Sequence, residues 1–258
     1  MYTITRCLVC QSDEVSFEPT YLSRFVLSRI ERRLRNIDLP ISSIRCNHCG
    51  FFSSNLRFEP HEQDQLYTEY RGYEYNKLRV QIEGDFYRGL IGKFTSPESI
   101  EVRMQGINQI IDRSINVANI KNVLDFGGGS GHFIPGKFIF AQKYVYDISG
   151  VSLCPSIKRY DSGRQMDWDY IQCCHVLEHV SDPILLLKDI IKLANTQTFI
   201  YIEVPNGDGP SPGGVWHEHI NTFYEHSLDF LMKRVDLTVI DKQTRNGCIG
   251  LLTKKAQE

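Results

Sequence analysis

The sequence predicts an α/β protein, in which an open, mostly parallel β-sheet carries helices on both faces and a small module precedes it. Two observations predict this fold. From residue 121 onward, short apolar runs alternate with helical stretches, and two strand-like runs, 237–244 and 248–256, come last. Before that point, four of the 8 cysteines stand near the N-terminus as two CxxC pairs, which indicates a separate metal-binding unit.

Four apolar runs are predicted to be strands of this sheet, since each is short and bounded by polar or turn-forming residues. They are 122–126 (NVLDF), 143–148 (KYVYDI), 169–174 (DYIQCC) and 198–205 (TFIYIEVP). Apolar residues at helical spacing predict helices at 182–194, near 226–235 and at 99–116. The aromatic and polar stretch 59–94 is predicted to be largely helical.

The two CxxC pairs, Cys7 with Cys10 and Cys46 with Cys49, have the spacing of a four-cysteine zinc site. Each pair forms a tight turn that directs two thiolates to one point, and two such turns complete a tetrahedron around Zn²⁺. Because four sulfur ligands leave no open position, we expect a structural zinc ion that contributes to folding.

Composition gives no electrostatic argument for nucleic acid or an anionic membrane as a partner, because the formal net charge is only −2. No apolar run approaches the ~20 residues that a membrane span needs. The first residues, MYTITRCLVC, lack the pattern of a signal peptide, so we expect a cytoplasmic protein. In that reducing compartment, cysteines favour metal binding over disulfides.

A glycine-rich loop follows the first predicted strand. In VLDFGGGSGHF (123–133), Asp125, Gly127, Gly129 and Gly131 alternate with other residues, and the acidic Asp147 follows at the end of the second strand. Such glycines allow a tight strand-to-helix turn and a close approach of a ligand, while an acid like Asp147 can hold a ribose diol. Dinucleotide-binding proteins and S-adenosylmethionine (SAM) binders share this spacing. An acid before the first glycine fits the amino group of SAM and would repel a pyrophosphate.

The segments LDFGGGSG, YDIS and CCHVLEHVSDP occur in the order found in the class I SAM-dependent methyltransferases, which residues 121–256 resemble. The resemblance implies a Rossmann-like, seven-stranded sheet whose last strand runs antiparallel. It also implies that SAM lies across the strand ends, with His175 in the loop beneath it. The chain is then predicted to divide into a zinc-binding module (1–60), a helical connector on the substrate side (61–118) and a SAM-binding domain (119–258).

The stretch GGVWHEHINTF (213–223) follows the fourth predicted strand and contains His217, Glu218 and His219. Loops at the carboxyl ends of such strands face the ligand crevice, so we expect this trio opposite the methyl donor. The histidines are two residues apart and not four, which excludes a helical zinc-protease motif. His217 fits a structural role. For Glu218 and His219 we expect catalysis, in which the histidine takes a proton from the acceptor and the carboxylate orients it.

Over its whole length the chain resembles the bacterial sugar methyltransferases, which have a CxxC…CxxCG module, a Y-x-Y segment, LEHV and HEH. The resemblance implies that His219 is the base, with Glu218 beside it. It also implies that His179 and either Tyr75 or Tyr73 face the substrate. The expected substrate is a small molecule, a sugar linked to a nucleotide or part of a glycan, in polysaccharide or deoxysugar biosynthesis.

The methylated atom stays open at this point. Trp216 stands where the family usually has tyrosine. The family members that methylate carbon continue into a further C-terminal domain, whereas this sequence stops soon after its last predicted strand. We therefore expect either O-methylation or C-methylation of the sugar, and the sequence indicates no oligomeric state.

Two other classes of function remain open. RNA base methyltransferases also combine a cysteine-zinc module with a SAM domain, and five arginines could follow phosphates: Arg24, Arg29, Arg32, Arg33 and Arg35. The acidic balance and the lack of an (N/D)PP(Y/F) signature argue against RNA. The second class is a non-catalytic SAM- or partner-binding protein, against which the intact glycine loop and the HEH trio argue.

Overall fold

The structure is a computed structural model that describes residues 1–30, 41–93, 96–208 and 218–256. Five residues named in the sequence predictions lie outside these ranges: Arg32, Arg33, Arg35, Trp216 and His217. Within the described ranges, no helix combines the length and the apolar character that crossing a membrane requires.

The N-terminal part consists of short strands and helices. In chain order they are β1 (Tyr2–Thr3), β2 (Val15–Pro19), α1 (Arg24–Ile30), β3 (Ser42–Cys46), β4 (Phe52–Ser54), β5 (Leu56–Arg57), α2 (Pro60–Tyr67), α3 (Tyr73–Glu83) and α4 (Asp85–Arg88). Strands β2, β3 and β4 form an antiparallel sheet, and β1 pairs with β5. The stretch predicted to be largely helical thus contains α2, α3 and α4.

The remaining part alternates strands with helices, as predicted. Its elements are α5 (Pro97–Ser114), β6 (Asn122–Phe126), β7 (Gln142–Tyr146), β8 (Ile157–Arg159), β9 (Tyr170–Cys174), α6 (Pro183–Leu193), β10 (Phe199–Pro205), β11 (Asn221–Thr222), α7 (Glu225–Arg234), β12 (Leu237–Arg245) and β13 (Cys248–Lys255). Helix α6 begins at Pro183 because the carboxylate of Asp182 accepts hydrogen bonds from the backbone N–H groups of Ile184 and Leu185, each 2.9 Å long.

The large sheet contains seven strands in the order β12-β13-β10-β9-β6-β7-β8. Strands β6 to β10 pair in parallel, whereas β13 is antiparallel to both β10 and β12. The predicted seven-stranded, mostly parallel sheet with an antiparallel last strand is confirmed. From β6 the chain adds β7 and β8 on one side, and it then returns to add β9 and β10 on the other side. The carboxyl ends of β6, β7 and β9 open a crevice at this reversal of strand order.

Helices cover both faces of this sheet, as predicted. On one face, Ile107 and Ile111 of α5 are buried in a cluster with Val123 of β6. On the other face, Leu187 of α6 and Leu231 of α7 belong to a larger cluster that also includes residues of the N-terminal module. Because both faces are covered, β9 is buried along its whole length.

The glycine-rich loop does not lead into a helix. The sequence predicted a strand-to-helix turn there, but residues 127–141 form a series of turns. Gly127, Gly129 and Gly131 have positive φ angles of 76°, 57° and 83°, and Pro135 with Gly136 follows within the same segment. These residues oppose helix formation, so the prediction of a helix was wrong at this point.

The segment after the HEH trio joins the two parts of the chain. Strand β11 pairs antiparallel with β4 and becomes the fourth strand of the N-terminal sheet. The backbone N–H of Ser54 also donates to the carbonyl of Ile220 over 2.9 Å. The backbone that carries His219 is therefore fixed by the N-terminal module. The division of the chain at residues 60 and 118 stays a prediction.

Candidate active site

The four N-terminal cysteines come together as the spacing predicted. Their sulfur atoms all lie within 4.8 Å of one another. The Sγ–Sγ distance is 3.5 Å between Cys7 and Cys49 and 3.4 Å between Cys10 and Cys46, which is too long for a disulfide. Around a zinc ion with Zn–S bonds of about 2.3 Å, neighbouring sulfurs would be about 3.8 Å apart. The cluster therefore has nearly the size of a four-cysteine metal site.

Asp125 is the last residue but one of β6, beneath the glycine-rich loop, and is 1% exposed. Its Oδ2 atom has no hydrogen-bond partner among the described residues. Burial raises the pKa of this carboxyl to about 7, although a hydrogen bond with Gln172 and the charge of Arg103 oppose the shift. A Cβ atom on Gly128 would lie 2.2 Å from the Asp125 carboxyl group, so only glycine at this position lets the carboxyl stay where it is.

Asp147 stands just after β7 and connects the glycine-rich loop to the next segment. Its Oδ2 accepts a 2.7 Å hydrogen bond from the backbone N–H of Gly129. Its Oδ1 accepts from the backbone N–H of Ser149 over 2.7 Å and from the hydroxyl of the same residue. The loop glycines and Asp147 are thus adjacent at the carboxyl ends of neighbouring strands.

His175 follows β9 directly and lies between two carboxylates. Its Nδ1 is 3.4 Å from Oε1 of Glu178, and its Nε2 is 3.2 Å from Oε1 of Glu203. Burial and the charge of Arg103 act to lower the pKa of His175. Its hydrogen bonds with Cys248, Glu178 and Glu203 outweigh them, so the pKa is well above its ordinary value. His175 is therefore a charged residue in the crevice.

His179 and His219 meet edge to face beside Glu178. Their ring centroids are 4.5 Å apart at an interplanar angle of 84°. One side-chain nitrogen or oxygen atom from each of the three residues lies within 4.8 Å of the others. Burial and the nearby His219 lower the pKa of His179 to about 4, and burial lowers the pKa of His219. Both imidazoles are neutral near pH 7.

The tautomer of His179 follows from its neighbours. Its Nδ1 is 3.2 Å from the backbone carbonyl oxygen of Glu218 and 3.1 Å from the hydroxyl of Tyr67. That hydroxyl itself donates to the same carbonyl over 3.3 Å. Because a carbonyl only accepts, all three contacts are satisfied when Nδ1 carries the proton. The lone pair on Nε2 of His179 then faces Glu178, whose Oε1 is 3.8 Å away.

The side chain of Glu218 is engaged elsewhere. Its Oε1 forms a 2.8 Å ion pair with Arg79 and accepts hydrogen bonds from the hydroxyls of Tyr75, at 3.3 Å, and Tyr70, at 3.4 Å. Burial would raise the pKa of Glu218, but Arg79, His179 and other charges lower it to about 2. Of the two tyrosines considered from the sequence, Tyr75 is at the site and fully buried, whereas Tyr73 is 78% exposed.

Sequence reasoning missed Glu178 and Arg79. The charge of Glu178 raises the pKa of His219 more than that of Glu218 does, and Glu178 contacts both His175 and His179. A signal was available, since Glu178 is the glutamate of the LEHV segment. No motif around Arg79 indicated its role, because its partner Glu218 is 139 positions away in the sequence.

The sequence matches a family model described as a methyltransferase domain over residues 67–242. Because this match covers more than half of the chain, the protein belongs to that family. It contains a class I SAM-dependent methyltransferase domain and is an enzyme of the transferase class. A comparison with curated proteins finds no significant match.

Solved structures with the same fold include 1,6-didemethyltoxoflavin-N1-methyltransferase from Burkholderia thailandensis, which is 17% identical with a TM-score of 0.53. That similarity covers 86% of this chain and 99% of the other. A SAM-dependent methyltransferase from Aquifex aeolicus is 15% identical with a TM-score of 0.47, over 64% of this chain and 96% of that one. The first of these similarities supports the assignment of the fold.

We predict that Gly128→Ala weakens binding of S-adenosylhomocysteine (SAH) by roughly tenfold or more, since the new Cβ would displace the buried Asp125 carboxyl. Isothermal titration with SAH measures the effect. Gly136→Ala is the matched control in the same segment, because a Cβ there meets no atom within 4 Å. Equal SAH affinity in the two variants would contradict the prediction.

Proposed function

We propose that this protein transfers the methyl group of SAM to a sugar, at a hydroxyl oxygen or at a carbon beside a keto group, with His219 as the general base. We further propose that the sugar is linked to a nucleotide. One observation carries the proposal. Two neutral imidazoles, His179 and His219, lie beside the carboxylate of Glu178 at the carboxyl ends of the strands.

The residues of the crevice fit SAM. The buried, unpartnered Oδ2 of Asp125 suits the amino group of the ligand, and the absence of a side chain on Gly128 lets that carboxyl keep its position. Asp147, at the end of the neighbouring strand, is our candidate for the ribose hydroxyls. His175 stands in the loop after β9, on the side of the crevice that faces Glu178. When bound, SAM supplies an electrophilic methyl group on a sulfonium.

Methyl transfer to a sugar requires that the acceptor lose a proton as it attacks the methyl carbon. A neutral His219 can take that proton, and the charge of Glu178 stabilises the imidazolium that results. The free lone pair on Nε2 of His179 can accept a hydrogen bond from a substrate hydroxyl. In this arrangement Glu178, and not Glu218 as expected from the sequence, is the carboxylate that stabilises the charged histidine. Glu218 instead positions the loop through Arg79.

The helical connector supports a small substrate. Tyr67, Tyr70 and Tyr75 surround the backbone and side chain of Glu218, and Tyr70 contacts both Tyr75 and His179 through ring edges. The buried Tyr67 and Tyr75 cover the histidine side of the crevice, and the partly exposed Tyr70 can offer its ring to a sugar.

We propose that the four cysteines hold a structural zinc ion. Their sulfur atoms form a closed set of four ligands, with no position left for a substrate. Cys46 ends β3, the neighbour of β4, and β4 in turn pairs with β11 just after His219. The metal would therefore stabilise the sheet that fixes the position of the base.

Cys46→Ser should reduce bound zinc from about one ion per chain to well below that, and should lower the melting temperature together with the metal content. Metal analysis of the purified protein and thermal unfolding provide the measurements. Cys154→Ser is the control, because that cysteine lies outside the cluster. Full zinc retention by the Cys46 variant would rule out the four-cysteine site.

The pH dependence of turnover tests the base. Burial lowers the pKa of His219, so kcat should fall on the acid side only below pH 6.5. Four charged groups act on this pKa: Glu178 and Glu218 raise it, whereas His175 and Arg71 lower it. Glu178→Gln removes the largest raising charge, which should move the acid limb to lower pH and reduce kcat by roughly tenfold. Steady-state rates from pH 5 to 9 provide the comparison.

Glu218→Gln is the matched control for this experiment. Its main effect should be on thermal stability, because the buried Arg79 loses one of its two charged partners and keeps only Glu83. The acid limb should move less than in Glu178→Gln. His219→Ala should abolish turnover while SAH affinity is kept. Normal turnover in that variant would remove His219 as the base.

Titration of the SAH-loaded protein with dTDP-, GDP-, CDP- and UDP-sugars tests the substrate class. We expect one nucleotide-sugar to bind, with an affinity that changes little between 50 and 200 mM salt. Binding of an RNA oligonucleotide instead, with a loss of roughly 10³-fold or more over that salt range, would overturn the proposal in favour of an RNA methyltransferase.

A further inference from the structure

Arg103 of helix α5 extends its guanidinium into the crevice from the face of the sheet opposite α6. Its Nε donates a 2.7 Å hydrogen bond to Oε1 of Glu203 in β10, and its guanidinium carbon lies 4.0 Å from the ring centroid of Phe133. The Nη2 atom is buried and has no hydrogen-bond partner among the described residues. A buried charged donor without an acceptor is costly, which points to a missing anionic partner.

The second unpartnered atom is a hydrogen-bond acceptor, whereas Nη2 of Arg103 is a donor. Oδ2 of Asp125 is buried without a hydrogen-bond partner among the described residues. Asp125 of β6 lies directly opposite Gln172 of β9 in the large sheet. Phe133, against which Arg103 packs, follows the glycine-rich loop and accepts a hydrogen bond from Gln172 through its carbonyl. Asp125 and Arg103 are thus linked through Gln172 and Phe133, and the crevice presents one unpartnered donor and one unpartnered carboxyl oxygen.

A free amino acid is the chemical group that satisfies both atoms at once, because it carries an ammonium and a carboxylate on one carbon. We propose that Nη2 of Arg103 binds the α-carboxylate of SAM while Asp125 binds its α-amino group. This inference rests on the proposed SAM site at Asp125 and is independent of the sugar. Arg103 is thereby a cofactor-binding residue of helix α5, which the sequence prediction placed in the connector and outside the SAM-binding domain.

Glu203 and Phe133 make this role specific to arginine. The ion pair with Glu203 uses Nε and the ring of Phe133 supports one face of the guanidinium, so Nη2 is left free at a fixed position. A lysine side chain has a single nitrogen, so it cannot reproduce two donors at the distance between Nε and Nη2, one for Glu203 and one for the carboxylate of the ligand. We therefore expect Arg103→Lys to recover only part of the affinity.

Two ligands that differ in the amino-acid part test the proposal. SAH contains it, and 5′-methylthioadenosine lacks it, while both share the adenosine and the thioether sulfur. In isothermal titrations on the full chain, Arg103→Gln should lower the affinity for SAH by roughly 10- to 100-fold, which is the usual contribution of a hydrogen bond to a charged group. Its affinity for 5′-methylthioadenosine should stay within about twofold, since the adenosine side of the crevice is unchanged.

Arg113→Gln is the matched control, because Arg113 lies on the same helix but pairs with Asp241 at the surface. It should leave both affinities unchanged. If circular dichroism shows that Arg103→Gln does not fold, the affinities for SAH and 5′-methylthioadenosine are compared in Arg103→Lys instead. An unchanged SAH affinity would overturn the proposal. An equal loss for both ligands would also overturn it, since that result indicates a structural role through Glu203. These titrations contain no sugar. Their result is therefore independent of whether a nucleotide-sugar is the substrate.

Discussion

Asn221 makes the interaction on which the rest of the site depends. Its side-chain amide donates to the carbonyls of Leu177, at 2.8 Å, and Val180, at 2.7 Å, and accepts a 2.7 Å hydrogen bond from the buried Arg57. One side chain thus joins the LEHV loop, the N-terminal module and the strand that follows His219. Because Asn221 and Arg57 are buried, breaking the contact would leave several polar atoms without partners. The distance between His179 and His219 is a consequence of this connection.

Charge is arranged in a row across the crevice. From the connector to helix α5 the ionised groups are Arg79, Glu218, Glu178, His175, Glu203 and Arg103, and the neutral His179 and His219 stand between the first two carboxylates. Each buried carboxylate has a cationic neighbour, which lets the row exist away from water. The two imidazoles lie where negative charge is close on both sides. The charges of Glu178 and Glu218 raise the pKa of His219 and partly offset the effect of burial.

The sequence was sufficient for the parts of the fold that depend on local pattern. The buried strands at Asn122–Phe126 and Phe199–Pro205, the helix after Asp182 and the antiparallel closing pair all follow from periodicity and capping. The helix after the glycine-rich loop was predicted wrongly, because the motif outweighed the evident turn residues Pro135 and Gly136. Glu178 could have been recognised, because it stands next to His179 in the LEHV segment. The roles of Asn221 and Arg103 could not be predicted, since each depends on partners distant in sequence. Burial and unpartnered atoms become visible only when those partners are in place.

The pairing of β11 with β4 also affects the order in which the protein folds. The contacts that assemble the crevice join residues 139 and 164 positions apart. Long-range contacts of this kind are slow to form, because a large loop must close before they contribute any stability. We expect the parallel strands and their helices to form first, and the N-terminal module to dock onto the segment after His219 later. Because β4 is synthesised well before its pairing partner β11, the crevice cannot be complete until the segment after His219 has been made.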